Sequence, residues 1–334
     1  MTEKILRQSV ATSPHIPLPD GLSDSRATAA AVFDRIADLY DRARPGYPAR
    51  AVADLVRRCA ITSSSRVLEI GCGTGQLTGD IARSGAHIVA LEPGASLAAL
   101  ARTNLADHPN VEVVVTRFEE LEEPTGSFDA VVAATSFHWI HPDLAYTKAA
   151  SLLTNEGFLA LMTHVQAAGG THAADTFAAE VRQLHRRLAP QVGDRLFPPA
   201  EQIVQHATVG GDIAAVWARP DRKLAEQPDV SGLFAAPEVR TYPWLATYDR
   251  DGYLAWLASQ SSYALLEPAR RSELMEGIGR LVDDLLGGEV TKQYVTVLAI
   301  AERLGASGPG AGGLPDRDVE AVEHIRQRDL EQEG

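Results

Sequence analysis

Apolar positions along the chain change their period several times. Between residues 30 and 40, Val32, Phe33, Ile36 and Leu39 recur at the spacing of a helix face, and a second helix is predicted over 49–59. Five short, continuous apolar runs follow, at 66–71, 87–92, 111–116, 128–134 and 157–163, with helix-like stretches between them. Runs that are apolar on both faces fit strands buried on both sides, and their alternation with helices predicts a doubly wound, mostly parallel α/β sheet. Residues 166–236 read as helices, notably 173–188, broken by Pro190, Pro198, Pro199 and Pro220, and are predicted to form an inserted helical cap. Sheet character returns at 239–248 and 293–300, with helices predicted over 253–266 and 268–286, so 237–304 is read as the remainder of the core that begins at 29. Residues 1–28, with Pro14, Pro17 and Pro19, have no period and are read as a flexible leader. The stretch 305–334, glycine-rich and then charged, is read as a flexible acidic tail.

The first strand ends in Val67-Leu68-Glu69-Ile70-Gly71-Cys72-Gly73-Thr74-Gly75, a buried strand that breaks into a glycine-rich turn opening a helix. Two ligand classes suit such a turn: a dinucleotide with its pyrophosphate, and S-adenosylmethionine (SAM). A dinucleotide turn follows a wholly apolar strand with G-x-G-x-x-G/A. Here the spacing is G-x-G-x-G, position 76 is Gln, and Glu69 precedes the first glycine by two. A carboxylate there repels a pyrophosphate and attracts an ammonium and a sulfonium, so the pattern favours SAM. The second strand ends in Glu92-Pro93, about twenty residues past the first glycine, where a carboxylate can accept from both ribose hydroxyls.

VLEIGCGTG, the Leu91-Glu92-Pro93 strand end and the stretch FDAVVAATSFHWI at the fourth strand together resemble the class I SAM-dependent methyltransferases, over residues 32–165. The resemblance implies a Rossmann-like, seven-stranded sheet whose last two strands form an antiparallel hairpin. It also implies that Gly71 and Gly73 meet the methionine part of SAM beside Glu69 and Gln76. Phe118 and Glu119 would form the adenine pocket, although many relatives carry Gly-Asp where this chain has Thr116-Arg117. Thr135, Phe137 and His138 would lie beside the transferable methyl, with His138 as a general base or a packed neighbour, and Trp139 as a wall toward the acceptor. Tyr40-Asp41-x-x-Arg44-Pro45-x-Tyr47-Pro48 resembles the helix that closes over SAM in small-molecule enzymes related to the trans-aconitate and ubiquinone-pathway methyltransferases. Arg44 then pairs with the SAM carboxylate or, alternatively, with Asp41 or Asp38. The aromatic stretch holding Trp244, Tyr253, Trp256 and Tyr263 suits an amphipathic acceptor, and its helical spacing suits core packing equally.

Composition narrows the partners. Among 334 residues, 44 acidic against 31 basic side chains give a net charge of −13, which argues against nucleic acid and anionic membranes. No apolar run reaches the length of a membrane span, and the start MTEKILRQSV has no signal-peptide core, so a cytoplasmic monomer or homodimer is expected. Two cysteines, Cys59 and Cys72, and scattered histidines give no disulfide framework and no zinc motif. The expectation is methyl transfer to a small organic acceptor, at oxygen first, with nitrogen and carbon as alternatives. A SAM-binding protein without methyl transfer, regulatory or pericyclase-like, and an NAD-dependent oxidoreductase are the rivals.

Overall fold

A computed structural model describes residues 34–168, 172–193, 197–207, 230 and 232–305. The leader 1–28, the tail from 306 and the part of the cap around Pro220 lie outside the described residues. Among those described, no helix is long and apolar enough to cross a membrane.

Two short helices, α1 (Ala37–Ala43) and α2 (Ala49–Arg58), precede the alternating part. There β1 (Arg66–Ile70), α3 (Gln76–Ala82), β2 (His87–Leu91), α4 (Ala95–Asn104), β3 (Val111–Val114), β4 (Phe128–Ala134), α5 (Pro142–Leu152) and β5 (Leu153–Ala167) follow in order. The sheet has seven strands in the order β3-β2-β1-β4-β5-β7-β6, where β6 is Glu238–Asp249 and β7 is Glu289–Glu302. β1 to β5 are parallel, and β7 lies antiparallel between β5 and β6. The chain thus has the Rossmann-like sheet expected of it, although β6 and β7 are joined not by a tight hairpin but through residues 250–288.

Each continuous apolar run serves two cores, because successive side chains on a strand point to opposite faces. Leu68, Ile70, Val89, Leu91, Val131, Leu159 and Leu161 pack on one face with α5. Val67, Ile88, Ala90, Val132, Ala160 and Met162 pack on the other with α2 and α3. Leu68 is fully buried, and truncating it to Ala is expected to cost about 2–5 kcal/mol.

β5, β7 and β6 run on past the ends of β1 and β4, and this extension carries the cap. Helices α6 (His172–Leu188), α8 (Arg250–Ala258), α9 (Ser261–Ala264) and α10 (Pro268–Leu286) share one apolar cluster with Val290 and Tyr294 of β7. The helices between β6 and β7, which the sequence groups with the core, therefore pack with residues of the 166–236 stretch. A further helix, α7 (Ala200–Ala207), covers the opposite face near Val295 and Val297.

Candidate active site

The carboxyl ends of β1 to β4 open into a cavity of about 700 Å3. A parallel sheet places ligands there, outside the strand ends where the connections diverge. Gly71, Gly73, Glu92, Pro93, Phe118, Glu119, Thr135, His138 and Trp139 line it, and Tyr40 and Arg44 close it from α1 and the residue after it. A smaller polar recess adjoins it, lined by Tyr40, Tyr47, Glu69, Gly71, Gly73 and Gln76.

The glycines do different work. Gly71 has φ +69°, and a Cβ there would lie 2.6 Å from the Ser136 Cβ, so it lets the ends of β1 and β4 meet. The Ser136 hydroxyl donates to the Ile70 carbonyl across that contact. Gly73, at φ +59°, faces open space apart from the Tyr40 ring 3.7 Å from the built Cβ, so its backbone is the part left bare to a ligand.

Glu92 organises the turn. One of its oxygens accepts from the Gly73 N–H at 3.0 Å and the other from the Gly94 N–H at 2.8 Å. Each retains a lone pair. Burial pushes its carboxyl up to about 6 against these two hydrogen bonds, and Asp34 nearby adds to the rise. Asp34 itself accepts from the Ser96 and Leu97 N–H groups at 2.6 and 3.3 Å, capping α4 from the segment before α1.

Glu69 is 2 % exposed, and its Oε2 has no hydrogen-bond partner. Burial pushes it up to about 7; the Thr78 hydroxyl opposes the rise and Glu92 adds to it. Arg44 lies 5.0 Å over the Tyr40 ring and donates from Nη2 to the Ser259 carbonyl at 3.0 Å, while its buried Nε is unpartnered. The rival pairing with Asp41 or Asp38 is not formed. Gln76, on the wall of the recess, donates to the Arg44 carbonyl at 3.1 Å, fixing the segment that carries Arg44.

At the β4 end, Thr135 has φ +58°, a conformation that is strained for a β-branched residue. Its hydroxyl lies 3.4 Å from the Tyr47 phenol. His138 and Trp139 sit on the turn Phe137–Trp139 with ring centroids 4.8 Å apart.

Five residues singled out in the sequence lie elsewhere. Phe137 points into the core, 3 % exposed and edge-on to Tyr146. Tyr253, Trp256 and Tyr263 are each at most 5 % exposed and form the apolar core of the cap. Trp244 stacks on Tyr294 at 4.7 Å and donates its indole N–H to Thr296. Their helical or strand spacing is that of packing, and packing is what it produces. Conversely, Asp34, Gln260 and Ser261 line the cavity unannounced by any motif, beside Ser136 of the FDAVVAATSFHWI stretch. Gln260 and Ser261 reach it because the stretch predicted as one helix over 253–266 breaks after Ala258. Gln260 there has extended backbone angles, φ −82° and ψ 136°.

This geometry agrees with the relatives of the chain. The methyltransferase-domain family matches residues 67–157. A ubiquinone biosynthesis O-methyltransferase of Xanthomonas oryzae pv. oryzae is 33% identical over 199 residues, covering 58% of this chain and 76% of that protein. The chain belongs to the SAM-dependent methyltransferase family. An uncharacterized methyltransferase of Mycobacterium tuberculosis is 32% identical to this chain over 138 residues, 41% of this chain and 54% of that one. The chain thus spans about half the length of the first curated relatives it matches. A protein assigned as a type II methyltransferase from Anaeromyxobacter dehalogenans shares the fold of this chain, with a TM-score of 0.50 and 21% identity over 78% of this chain and 97% of that one.

Proposed function

We propose that the cavity binds SAM along the ends of β1 to β4, and that the enzyme methylates a small organic acceptor, at oxygen first and at nitrogen or carbon otherwise. The observation that carries this reading is Glu69, a buried carboxylate with an unpartnered oxygen beneath the glycine turn. A buried polar group is normally hydrogen-bonded, and an amino-acid ammonium entering the small recess supplies the missing partner. Arg44 has an unpartnered Nε and suits the carboxylate of the same group.

Glu92 retains lone pairs for ribose hydroxyls, and the turn Phe118–Glu120 offers backbone N–H and the Glu119 carboxylate to adenine. SAM supplies an electrophilic methyl on a sulfonium. What remains for the protein is to orient the acceptor, exclude water and accept one proton at most. His138 on the cavity wall is the proposed proton acceptor. Trp139, Gln260 and Ser261 form the acceptor side under the cap.

Calorimetric titration with S-adenosylhomocysteine (SAH), with NAD as control, tests the cofactor. Micromolar binding of SAH alone is expected. Binding of NAD instead, or of neither, overturns the reading.

A further inference from the structure

One face of the extended strands carries buried polar groups that the cofactor site does not use. In register, Gln166 of β5 pairs with Tyr294 of β7, Lys292 of β7 with Ala246 of β6, and Tyr248 of β6 with Val290. Alternate residues share a face, so Gln166, Tyr294, Lys292 and Tyr248 lie side by side under α8. The Lys292 ammonium is ringed by Trp256 at 4.4 Å, Phe197 at 5.5 Å and Tyr253 at 5.8 Å. It meets no carboxylate among the described residues. Burial pushes it down to about 8.

Tyr294 is 3 % exposed, and its phenol faces that of Tyr248. If one phenol donates to the other, the second O–H is still left without a partner. The Gln166 side-chain oxygen has none either, and its amide can present either end to a ligand. A buried cation without a counter-charge beside unsatisfied donors is costly to the folded chain.

We propose that this face is an organic-anion subsite, in which Lys292, Tyr294 and Tyr248 hold the acid end of the methyl acceptor. The proposal rests on the acceptor reading above and adds the chemical class. Two donors and an ammonium satisfy one carboxylate. Arg44 of the cavity wall donates to the Ser259 carbonyl just past α8, the helix whose Tyr253 and Trp256 ring Lys292, so the cavity and this face adjoin the same helix.

Register also sets the reach. Ala134 pairs with Met162 and Met162 with Leu298, and Tyr294 lies four residues further along β7. At ~3.3 Å per residue that is roughly 13 Å beyond the level at which Thr135 leaves β4. The acceptor is therefore elongated, with its acid remote from the methylated atom, and Lys292 is an anchor rather than a base.

The test uses the full chain titrated with 4-hydroxycinnamate and with its neutral amide, in the presence and absence of SAH. The acid is expected to bind at least tenfold more tightly than the amide. Lys292→Met should abolish that preference while SAH affinity stays unchanged, and Tyr294→Phe should reduce it several-fold. Equal binding of acid and amide to the wild type overturns the proposal, as does a preference that survives Lys292→Met. Should Lys292→Met not fold, Tyr294→Phe decides, and an undiminished preference there is fatal. Failure of SAH to bind would instead count against the cofactor reading, since the acid preference is measurable without it.

Discussion

Glu92 is the residue whose contribution is most readily measured, because both of its oxygens already hold the N–H groups of Gly73 and Gly94. Glu92→Ala removes these bonds along with any made to ribose hydroxyls. At about 1.5–3 kcal/mol for each hydrogen bond to a charged group, SAH affinity should drop by tenfold or more. Calorimetry on the variant checks it, and unchanged affinity would remove Glu92 from the site. His138→Ala separates chemistry from packing. Turnover at saturating SAM should fall by on the order of 10²-fold if the imidazole takes the acceptor's proton, with SAH binding unaltered. Near-normal turnover would leave His138 as a wall. Glu69 and Glu92 were legible in the sequence because their positions relative to the glycines follow from backbone geometry, whereas Asp34 lies far from any glycine pattern. The acceptor residues were not, because Tyr253, Trp256 and Tyr263 sit at spacings that a packed helix produces without any ligand.

Strands were legible as elements for a related reason: a strand buried on both faces is an unbroken apolar run, and β1, β2 and β4 fall within a residue of their predicted limits. β5 was read as 157–163 and extends over Leu153–Ala167, because beyond Met162 its cap-facing positions become His164 and Gln166 and the apolar signal stops. The break between α8 and α9 had no Gly or Pro to announce it. It is held instead by Arg44 taking the Ser259 carbonyl and by the Ser259 hydroxyl donating to the Trp256 carbonyl at 2.7 Å. The turn Phe118–Glu120, proposed to face adenine, has a comparable support. Lys148 of α5 donates to the carbonyls of Glu119 and Leu121 at 2.9 and 2.7 Å, and its ammonium lies 5.5 Å over the Phe118 ring. Lys148→Met should loosen Phe118–Glu120 and weaken SAH several-fold, while an analogue that lacks the adenine, S-ribosylhomocysteine, loses nothing. Equal losses for the two ligands would mean that Lys148 supports the fold in general and not this turn.

Across the whole molecule, two buried groups pull the pH dependence of stability in opposite directions, and only a ligand separates them. Glu69 is pushed up to about 7 by burial. Between its ordinary value near 4.5 and 7 the folded chain binds a proton that the unfolded chain has lost, so stability falls as pH rises through that window. His164 is pushed down to about 4, chiefly by burial, and sits stacked on Tyr47 at 4.5 Å with its Nδ1 2.9 Å from the Thr296 hydroxyl. Between 4 and its ordinary value near 6.5 the unfolded chain binds the proton instead, so stability rises with pH. A tenfold change in proton affinity is worth roughly 1.4 kcal/mol, and over most of the shared range the two contributions offset each other. Glu92, pushed up to about 6, adds to the Glu69 side, so a melting curve without ligand should show stability falling modestly between pH 5 and 6. SAH binding differs, because an ammonium docking on Glu69 demands the ionised carboxylate and leaves His164 as it was. Titration with SAH at pH 6 in two buffers of different ionisation enthalpy should show proton release that nearly vanishes at pH 8, with Glu69 giving the larger share and Glu92, pushed up to about 6, the rest. Glu69→Gln should remove the larger share of the release and weaken binding at pH 8, where the wild-type carboxylate is already charged. A wild type that releases no proton at pH 6, or a Glu69→Gln variant that releases as much as the wild type, would place the ligand's ammonium on some other group and move the methionine end of the cofactor away from β1.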